Sequence, residues 1–230
     1  MTQENIKKFL EQCSISGKKA DFVLPNLAKK AKFYYIPTLS SDFYEIQRFV
    51  KFDDGKEYAV MFTDMDAAEK FCQSHSYMDS IHEVSAQEIL KEVLKLKSIN
   101  GVSINTNDKS QLVIDKKITR LLFREYLLQE FYMKGGAWCI FKNRNYIMYE
   151  VKKGIKSIPI FIEKEEAFRS QKMFKEKTTV EFLMWKDIID FSFKAKLEYL
   201  IYAPDLPYAT FLKYQCFNWI YDSLAVASSI

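Results

Sequence analysis

The sequence is poor in the residues that usually build reactive sites. Among its 230 residues are six glycines, five prolines, four cysteines and two histidines. So few glycines leave no room for a phosphate-cradling loop, and no Gly-x-Gly-x-x-Gly or Gly-x-x-x-x-Gly-Lys motif occurs. A Gly-x-Ser-x-Gly nucleophile motif is absent as well. The sequence therefore predicts a protein without the common nucleotide-binding or hydrolase machinery, and we assign no catalytic residue.

The cysteines are too far apart to form a paired metal-binding motif. They are Cys13, Cys72, Cys139 and Cys216. A tetrahedral zinc site normally takes its ligands in closely spaced pairs, and only His75 and His82 could complete one here. We therefore expect no metal and no cofactor. Scattered cysteines fit a reducing compartment, and the polar N-terminus has no signal-peptide core, so we expect a cytoplasmic protein.

Neither a membrane nor a nucleic acid is an expected partner. No stretch approaches the roughly 18 apolar residues that a membrane span needs. The net charge of +4 arises from 34 basic and 30 acidic residues that are mixed along the chain. Nucleic-acid binders usually cluster their basic residues on one face. The nearest cluster here is best interpreted as a solvated face; it comprises Lys18, Lys19, Lys29, Lys30 and Lys32.

The second half of the sequence faintly repeats the first. Tyr58–Glu69 aligns with Ser157–Phe168 at an offset of about 99 residues, and in both an apolar strand enters a helix at acidic residues. The order strand, hairpin, helix, helix, strand recurs. This predicts an α+β fold of two similar units in tandem, with mixed sheets, flanking helices and extra helices at both termini. The predicted domains are residues 1–110, a linker and connecting helix over 111–135, and residues 136–230.

The first unit resembles the SseB-like domain family of bacteria. That family has an aromatic–aliphatic–Pro strand, an apolar strand entering Phe-Thr-Asp, and a final Gly–aliphatic–x–aliphatic–Asn strand. The matching segments are Phe33–Pro37, Tyr58–Ala68 and Gly101–Asn105. Thr106 replaces the usual proline, and the second unit keeps Phe161, Ala167 and Ala203–Pro204 but loses the glycine and asparagine. The resemblance implies a non-catalytic accessory protein from bacterial secretion or toxin neighbourhoods, where some such domains are taken to be immunity proteins.

Two histidines are the only imidazoles that could act as general bases near neutral pH. His82 precedes a predicted helix, and His75 lies in a serine-rich loop, with no nucleophile suggested near either. We therefore interpret both as structural or surface residues. An enzyme with an unrecognised site in a cleft between the halves is kept as an alternative.

Acidic residues cluster at the starts of the two equivalent helices. Asp64 and Asp66 precede one, and the other begins at Glu163, Glu165 and Glu166. Carboxylates there interact favourably with exposed N–H groups and the helix dipole, so we expect capping and not a metal site. The apolar surroundings of Cys72 and Cys139 predict buried thiols, not catalytic ones.

The aromatic content of 16% has two readings, a compositional bias or a surface that binds protein. A final helix is predicted over 208–225, apolar on two faces. One face supplies our candidate partner-binding residues, Phe211, Tyr214, Phe217 and Tyr221. The favoured hypothesis is a protein-binding module, most concretely an immunity protein that occludes a cognate toxin. A structural or regulatory homodimer remains an alternative. The final helix would also be explained without any partner if it packs between the two halves of the chain.

Overall fold

Strands and helices alternate along the chain in an α+β fold with mixed sheets and flanking helices, as predicted. The structure, a computed structural model, describes residues 32–39, 45–77, 80–152, 154–174, 176–213 and 217. Within those ranges there are fifteen strands and five helices. The chain divides into two compact units, Met1–Tyr126 and Leu127–Ile230. The predicted N-terminal helices lie outside the described residues.

Unit 1 contains eight strands, two helices and the start of a third. Its strands are β1 (Lys32–Tyr35), β2 (Pro37–Leu39), β3 (Glu45–Gln47), β4 (Phe49–Lys51), β5 (Glu57–Met61), β6 (His82–Ser85), β7 (Gly101–Ile104) and β8 (Leu112–Asp115). Its helices are α1 (Met65–Ser74), α2 (Ala86–Lys95) and the first part of α3 (Lys116–Lys134). β8 lies within residues 111–135, where the sequence predicts a linker containing a short edge strand at Leu112–Ile114. The strand pairs with β7 at the edge of the unit 1 sheet.

A parallel strand pair organises unit 1. β5 and β7 lie side by side in parallel, with β4 and β8 antiparallel on their outer edges. β1 pairs with β6 and touches the end of β5 through a bridge between Tyr34 and Phe62. Because a parallel pair requires a long connection, α1 and α2 occur between the two strands. The central strands are accordingly buried along nearly their whole length.

Both connecting helices begin at the caps that the sequence predicts. The Asp64 carboxylate accepts a hydrogen bond from the Ala67 N–H at 2.9 Å and caps α1. Ser85 and Glu88 form a complete capping box on α2. The apolar faces of the two helices are buried in the core. They comprise Ala67, Ala68, Phe71 and Cys72 on α1 and Ile89, Leu90, Val93 and Leu94 on α2.

Unit 2 contains seven strands, the rest of α3 and two further helices. Its strands are β9 (Gly136–Lys142), β10 (Asn145–Tyr146), β11 (Tyr149–Lys152), β12 (Ile155–Phe161), β13 (Thr179–Met184), β14 (Tyr199–Tyr202) and β15 (Thr210–Lys213). Its helices are α4 (Lys164–Gln171) and α5 (Trp185–Lys194). All seven strands belong to one sheet, in which β12 and β14 form the parallel pair.

The strand register of unit 2 matches that of unit 1. Tyr58 pairs with Gly101 in unit 1, and Ser157, 99 positions after Tyr58, pairs with Tyr199. The antiparallel neighbours correspond too, with β11 and β15 in the places of β4 and β8. β13 pairs with β9 as β6 pairs with β1. These four pairings therefore recur in each unit, although the described strands of unit 1 form three sheets and those of unit 2 form one.

The helix predicted over 208–225 is wrong at its start. Thr210–Lys213 is strand β15, antiparallel to β14, with Thr210 and Leu212 buried and Phe211 and Lys213 exposed. The error has a simple cause: apolar residues four positions apart fit both a helical period of 3.6 and a strand period of two. Except for Phe217, residues 214–230 lie outside the part of the chain that the structure describes.

The turn after β7 is held by a buried asparagine. Asn105 has a φ of 52° and is fully buried. Its Oδ1 accepts the Thr63 N–H at 2.8 Å, and its Nδ2 donates to the hydroxyls of Thr63 and Ser110, both at 2.9 Å. Asparagine tolerates this left-handed backbone better than most residues. The amide thus ties the end of β7 to the segment between β5 and α1.

We predict that Asn105→Ala lowers the free energy of unfolding by about 3 kcal/mol, because it strands buried polar groups and strains a left-handed residue. Asn107→Ala is the matched control. Asn107 also has a positive φ, 64°, but its side chain is exposed, so we expect a loss of about 1 kcal/mol or less. Urea denaturation followed by circular dichroism measures both. Equal losses in the two variants would show that the buried amide contributes nothing beyond backbone conformation.

Candidate protein-binding surface

Strand β13 lies at an edge of the unit 2 sheet. It pairs with β9 along its whole length, from Thr179 opposite Phe141 to Met184 opposite Gly136, and with no other described strand. Four of its six residues are exposed. An edge strand leaves one row of main-chain N–H and C=O groups without a partner strand.

An aromatic cluster lies on the face of the sheet beside this edge. Trp138 on β9 and Phe182 on β13 are directly opposite each other, with ring centroids 5.3 Å apart and nearly perpendicular planes. The Lys164 Nζ on α4 lies 5.1 Å from the Trp138 ring centroid and 5.4 Å from that of Phe168. These distances fit a cation–π arrangement. A charged side chain is thereby held between two aromatic rings.

The cluster is accessible to solvent. Phe182 is 38% exposed, Phe168 41% and Met184 56%. Met184 lies on the same face of β13 as Phe182, since side chains two positions apart in a strand share a face. We call the set Trp138, Lys164, Phe168, Phe182 and Met184 the β13 patch. An exposed apolar patch with aromatic residues is typical of a protein interaction site.

Gly136 makes room for the aromatic ring at the edge. A Cβ at this position would collide with the Leu183 carbonyl oxygen and would lie 2.9 Å from the Phe182 ring. Phe182 therefore packs across a glycine on the neighbouring strand, an arrangement that compensates for the missing side chain. The ring is fixed by the backbone beneath it while its outer surface stays exposed.

Three of the five equivalent positions in unit 1 are polar, while Tyr34 and Met65 occupy those of Trp138 and Lys164. Glu69, Glu83 and Ser85 occupy the positions of Phe168, Phe182 and Met184, each 99 residues earlier. Glu83 forms a 2.9 Å ion pair with Lys32 across β1 and β6. A compositional bias toward aromatic residues acts on both units alike. It therefore does not account for an apolar edge in unit 2 alone.

The partner-binding residues predicted from sequence do not form the β13 patch. Phe211 is 45% exposed, but it lies on β15 with its ring against Tyr199. Phe217 is fully buried and stacks on Trp185 at 4.5 Å, so it belongs to the core of unit 2. Tyr214 and Tyr221 lie outside the described residues. The alternation of Val180, Phe182 and Met184 was the available signal for an apolar strand face, but the pairing with Trp138 requires the sheet.

The histidines lie on different elements of unit 1. His75 follows α1, where its ring stacks on Tyr77, and its Nδ1 lies 2.9 Å from both the Phe71 carbonyl oxygen and the Ser74 hydroxyl. His82 is on β6, with its Nε2 2.7 Å from the Ser80 hydroxyl. Both therefore have local structural partners.

Glu163 and Glu166 do not cap α4 as predicted, whereas Glu165 lies exposed in its first turn. Glu163 stands at the N-cap position without a side-chain capping bond and instead pairs with Lys134 at 2.6 Å. Glu166 is buried, and its carboxylate accepts hydrogen bonds from the Tyr202 hydroxyl at 2.9 Å and the Tyr208 hydroxyl at 3.3 Å. A buried carboxylate is stable only with such donors. Hydrogen bonds from Tyr202 and Tyr208 thus take the place of the capping role predicted for Glu166.

Other candidate chemistry is sparse in the described ranges. The thiols of Cys72 and Cys139 are buried, as predicted, and burial raises the pKa of Cys139 far above its usual range. Among the described residues, no group of three or more His, Cys, Asp or Glu side chains converges on a possible metal position.

A surface cleft lies in each unit, beside β4 in unit 1 and beside β10 in unit 2. The unit 2 cleft, about 510 Å³, is lined in part by Met148 and Phe174. The unit 1 cleft, about 360 Å³, is lined in part by Phe49 and His75, which occupy the equivalent positions. The linings differ in chemistry, and neither cleft contains part of the β13 patch.

No helix in the described ranges is both long enough and apolar enough to cross a bilayer.

Comparisons with known proteins give little further information. No family model matches the chain. No curated protein matches it either. Among solved structures, Tic22 from Anabaena, described as a protein-transport protein, is 10% identical with a TM-score of 0.23 over 75% of this chain and 86% of its own. Tic22 from Plasmodium falciparum is 18% identical with a TM-score of 0.22 over 87% of this chain and 98% of its own. Similarities this weak carry no functional argument.

The buried Glu166–Tyr202 contact predicts a loss of stability at alkaline pH. Burial, reinforced by the Glu166 carboxylate, raises the pKa of Tyr202 well above its usual value of 10. The unfolded chain therefore releases this proton from about pH 10 while the folded chain retains it, so the free energy of unfolding falls as the pH rises further. In Tyr202→Phe this fall should be shallower, although the variant is less stable at pH 7 because Glu166 loses a donor.

Urea titrations at pH 7, 9, 10 and 10.5 measure this dependence. Burial also raises the pKa of Tyr126, so part of the alkaline loss should persist in Tyr202→Phe. An unchanged slope above pH 10 would contradict a buried, proton-retaining Tyr202.

Proposed function

We propose that this chain is a non-catalytic protein-binding module of the cytoplasm, most concretely an immunity protein that neutralises a toxin by occluding it. The β13 patch is the observation that supports the proposal. Its three aromatic side chains, its methionine and its lysine form a solvent-accessible cluster on β9, β13 and α4. Aromatic residues and methionine are enriched at protein interfaces, where a few anchors supply most of the binding energy.

The anchors of this patch are held in place before any partner arrives. Phe182 packs over Gly136 and against Trp138, and Lys164 is placed over Trp138 and Phe168. Side chains that are already ordered lose less conformational entropy on binding. A rigid aromatic surface that covers a toxin would block its active site sterically, with no chemistry required from this chain.

We further propose that both units descend from one SseB-like unit. The shared strand register and the recurring two-helix connection support this origin. On this proposal unit 1 keeps the Phe62–Asp64 and Gly101–Asn105 patterns that stabilise the family scaffold, while the edge of unit 2 has become apolar. The aromatic side chain of Phe182 and the apolar side chain of Met184 stand where unit 1 has Glu83 and Ser85, and this difference between equivalent edges favours a binding role for β13.

The double variant Phe168→Glu/Phe182→Glu tests the proposal with residues that unit 1 already has at these positions. Loss of two aromatic anchors should weaken binding by at least about 2 kcal/mol, roughly 30-fold. Tagged wild-type and variant proteins are compared for capture of a stoichiometric partner from the native host. The captured toxin is then co-expressed with each, and we expect only the wild type to restore growth.

Phe193→Ser is the matched control for removing an exposed aromatic side chain. Phe193 is 70% exposed on α5, and α5 packs against β9 and β13 from the face opposite Trp138. We expect this variant to bind like the wild type. Capture of the partner by the double variant at wild-type level would overturn the assignment of the patch. Failure of the wild type to capture any partner would overturn the proposed function.

A further inference from the structure

The main-chain groups at the outer edge of β13 can be assigned from the hydrogen-bond pattern. The Trp185 N–H donates to the Gly135 carbonyl oxygen at 3.2 Å, directly after the last paired residues of β13 and β9. In an antiparallel pair, bonded and non-bonded positions alternate along each strand. Leu183 and Glu181 are therefore bonded to β9, and the N–H and C=O groups of Val180, Phe182 and Met184 point away from it.

The six residues of β13 themselves carry little of the usual protection of an edge strand. Natural edge strands are shortened, interrupted by proline or carry charged side chains, especially lysine, which discourages the addition of another strand. β13 is six residues long, contains neither residue, and has Glu181 as its one charged side chain. The equivalent strand β6 in unit 1 is four residues long and includes His82 and Glu83. The position of Phe182 is occupied by the charged Glu83 in β6. Of these two equivalent edges, β13 is therefore the better acceptor of a further strand.

The charges around this edge favour an acidic partner. Exposed cations outnumber exposed carboxylates on α4 and at both ends of β13; the cations are Lys164, Arg169, Lys172, Lys177 and Lys186, and the carboxylates are Glu165, Glu181 and Asp187. Two further carboxylates, Glu163 and Glu176, already pair with Lys134 and Lys142. A second copy of the chain would bring equal positive charge to the same edge, which is unfavourable.

We propose that β13 binds its partner by strand addition. An extended segment of the partner protein pairs with the outward main-chain groups of Val180, Phe182 and Met184. Its apolar side chains, at alternate positions, cover the β13 patch, and an acidic residue lies next to Lys164. In this mode main-chain hydrogen bonds supply affinity while alternate side chains supply specificity. The inference rests on the proposed function and adds how the partner is held.

Met184→Pro compared with Met184→Ala isolates the main-chain contribution. Met184 has φ −69° and ψ 150°, which proline adopts without strain, and its N–H points outward, so no bond to β9 is lost. Both variants remove the same side chain, but only proline removes the N–H. The probe is a dodecapeptide selected from a random phage library on the wild-type protein and then synthesised. Loss of one interface hydrogen bond should make Met184→Pro weaker than Met184→Ala by about 3- to 10-fold in Kd.

Hydrogen exchange locates the bound peptide. We expect slower exchange at the amides of Val180, Phe182 and Met184, and selected sequences with alternating apolar residues and at least one Asp or Glu. Equal affinities for the two variants, protection elsewhere, or no selected peptide would overturn strand addition. If strand addition is overturned but Phe168→Glu/Phe182→Glu still abolishes partner capture, the β13 patch remains the assigned binding surface and only pairing through the main chain of β13 is rejected.

Sedimentation equilibrium tests whether a second copy of the chain, and not a different protein, binds at β13. A wild-type dimer that Met184→Pro converts to a monomer would assign the edge to a second copy of the chain and overturn the heterotypic proposal. A wild-type monomer that gains protection at β13 only with peptide supports it.

Discussion

The parallel pairing of two buried strands in each unit is the constraint on which the other elements depend. β5 and β7 in unit 1, and β12 and β14 in unit 2, can lie side by side only if the chain crosses the sheet between them. The two helices and the extra edge strand of each unit lie in that crossing. After the second strand the chain turns back through a residue with positive φ, Asn105 or Ala203. The N–H of that residue donates to the first strand, at Met61 or Ile160.

The two units stabilise this turn with different chemistry. In unit 1 the buried Asn105 amide joins Thr63 and Ser110. Ala203 occupies the equivalent position in unit 2 and has no polar side chain. There the buried hydrogen bonds come instead from Glu166, Tyr202 and Tyr208, and Tyr208 occupies the position equivalent to Ser110. Since every buried polar group needs a partner, each of these networks has to be complete, and a change to one member affects the others.

The central strands of both units keep their burial, whereas the edge strands β6 and β13 differ in chemical character. A central strand is restricted on both faces by packing and on both sides by hydrogen bonds, so its residues stay largely apolar even where they are not identical. An edge strand is restricted on one side only. β6 carries a surface ion pair, whereas β13 carries an aromatic cluster on the same scaffold. The part of the fold with the fewest internal constraints is thus the part where we place partner binding.

Local signals in the sequence determined much of the secondary structure. The Asp64 cap, the Ser85–Glu88 capping box and the strand ending at Asn105 each depend on neighbours within a few residues, so the sequence alone predicts them. The strand at Thr210, the buried Phe217 and the carboxylate of Glu166 between two tyrosines depend on residues far along the chain. The β13 patch has the same origin: Trp138 and Phe182 are 44 positions apart, and only the antiparallel register of β9 and β13 brings them together. Burial and exposure of a side chain are properties of the packed sheet, because apolar spacing by itself fits a core face and a binding face equally well.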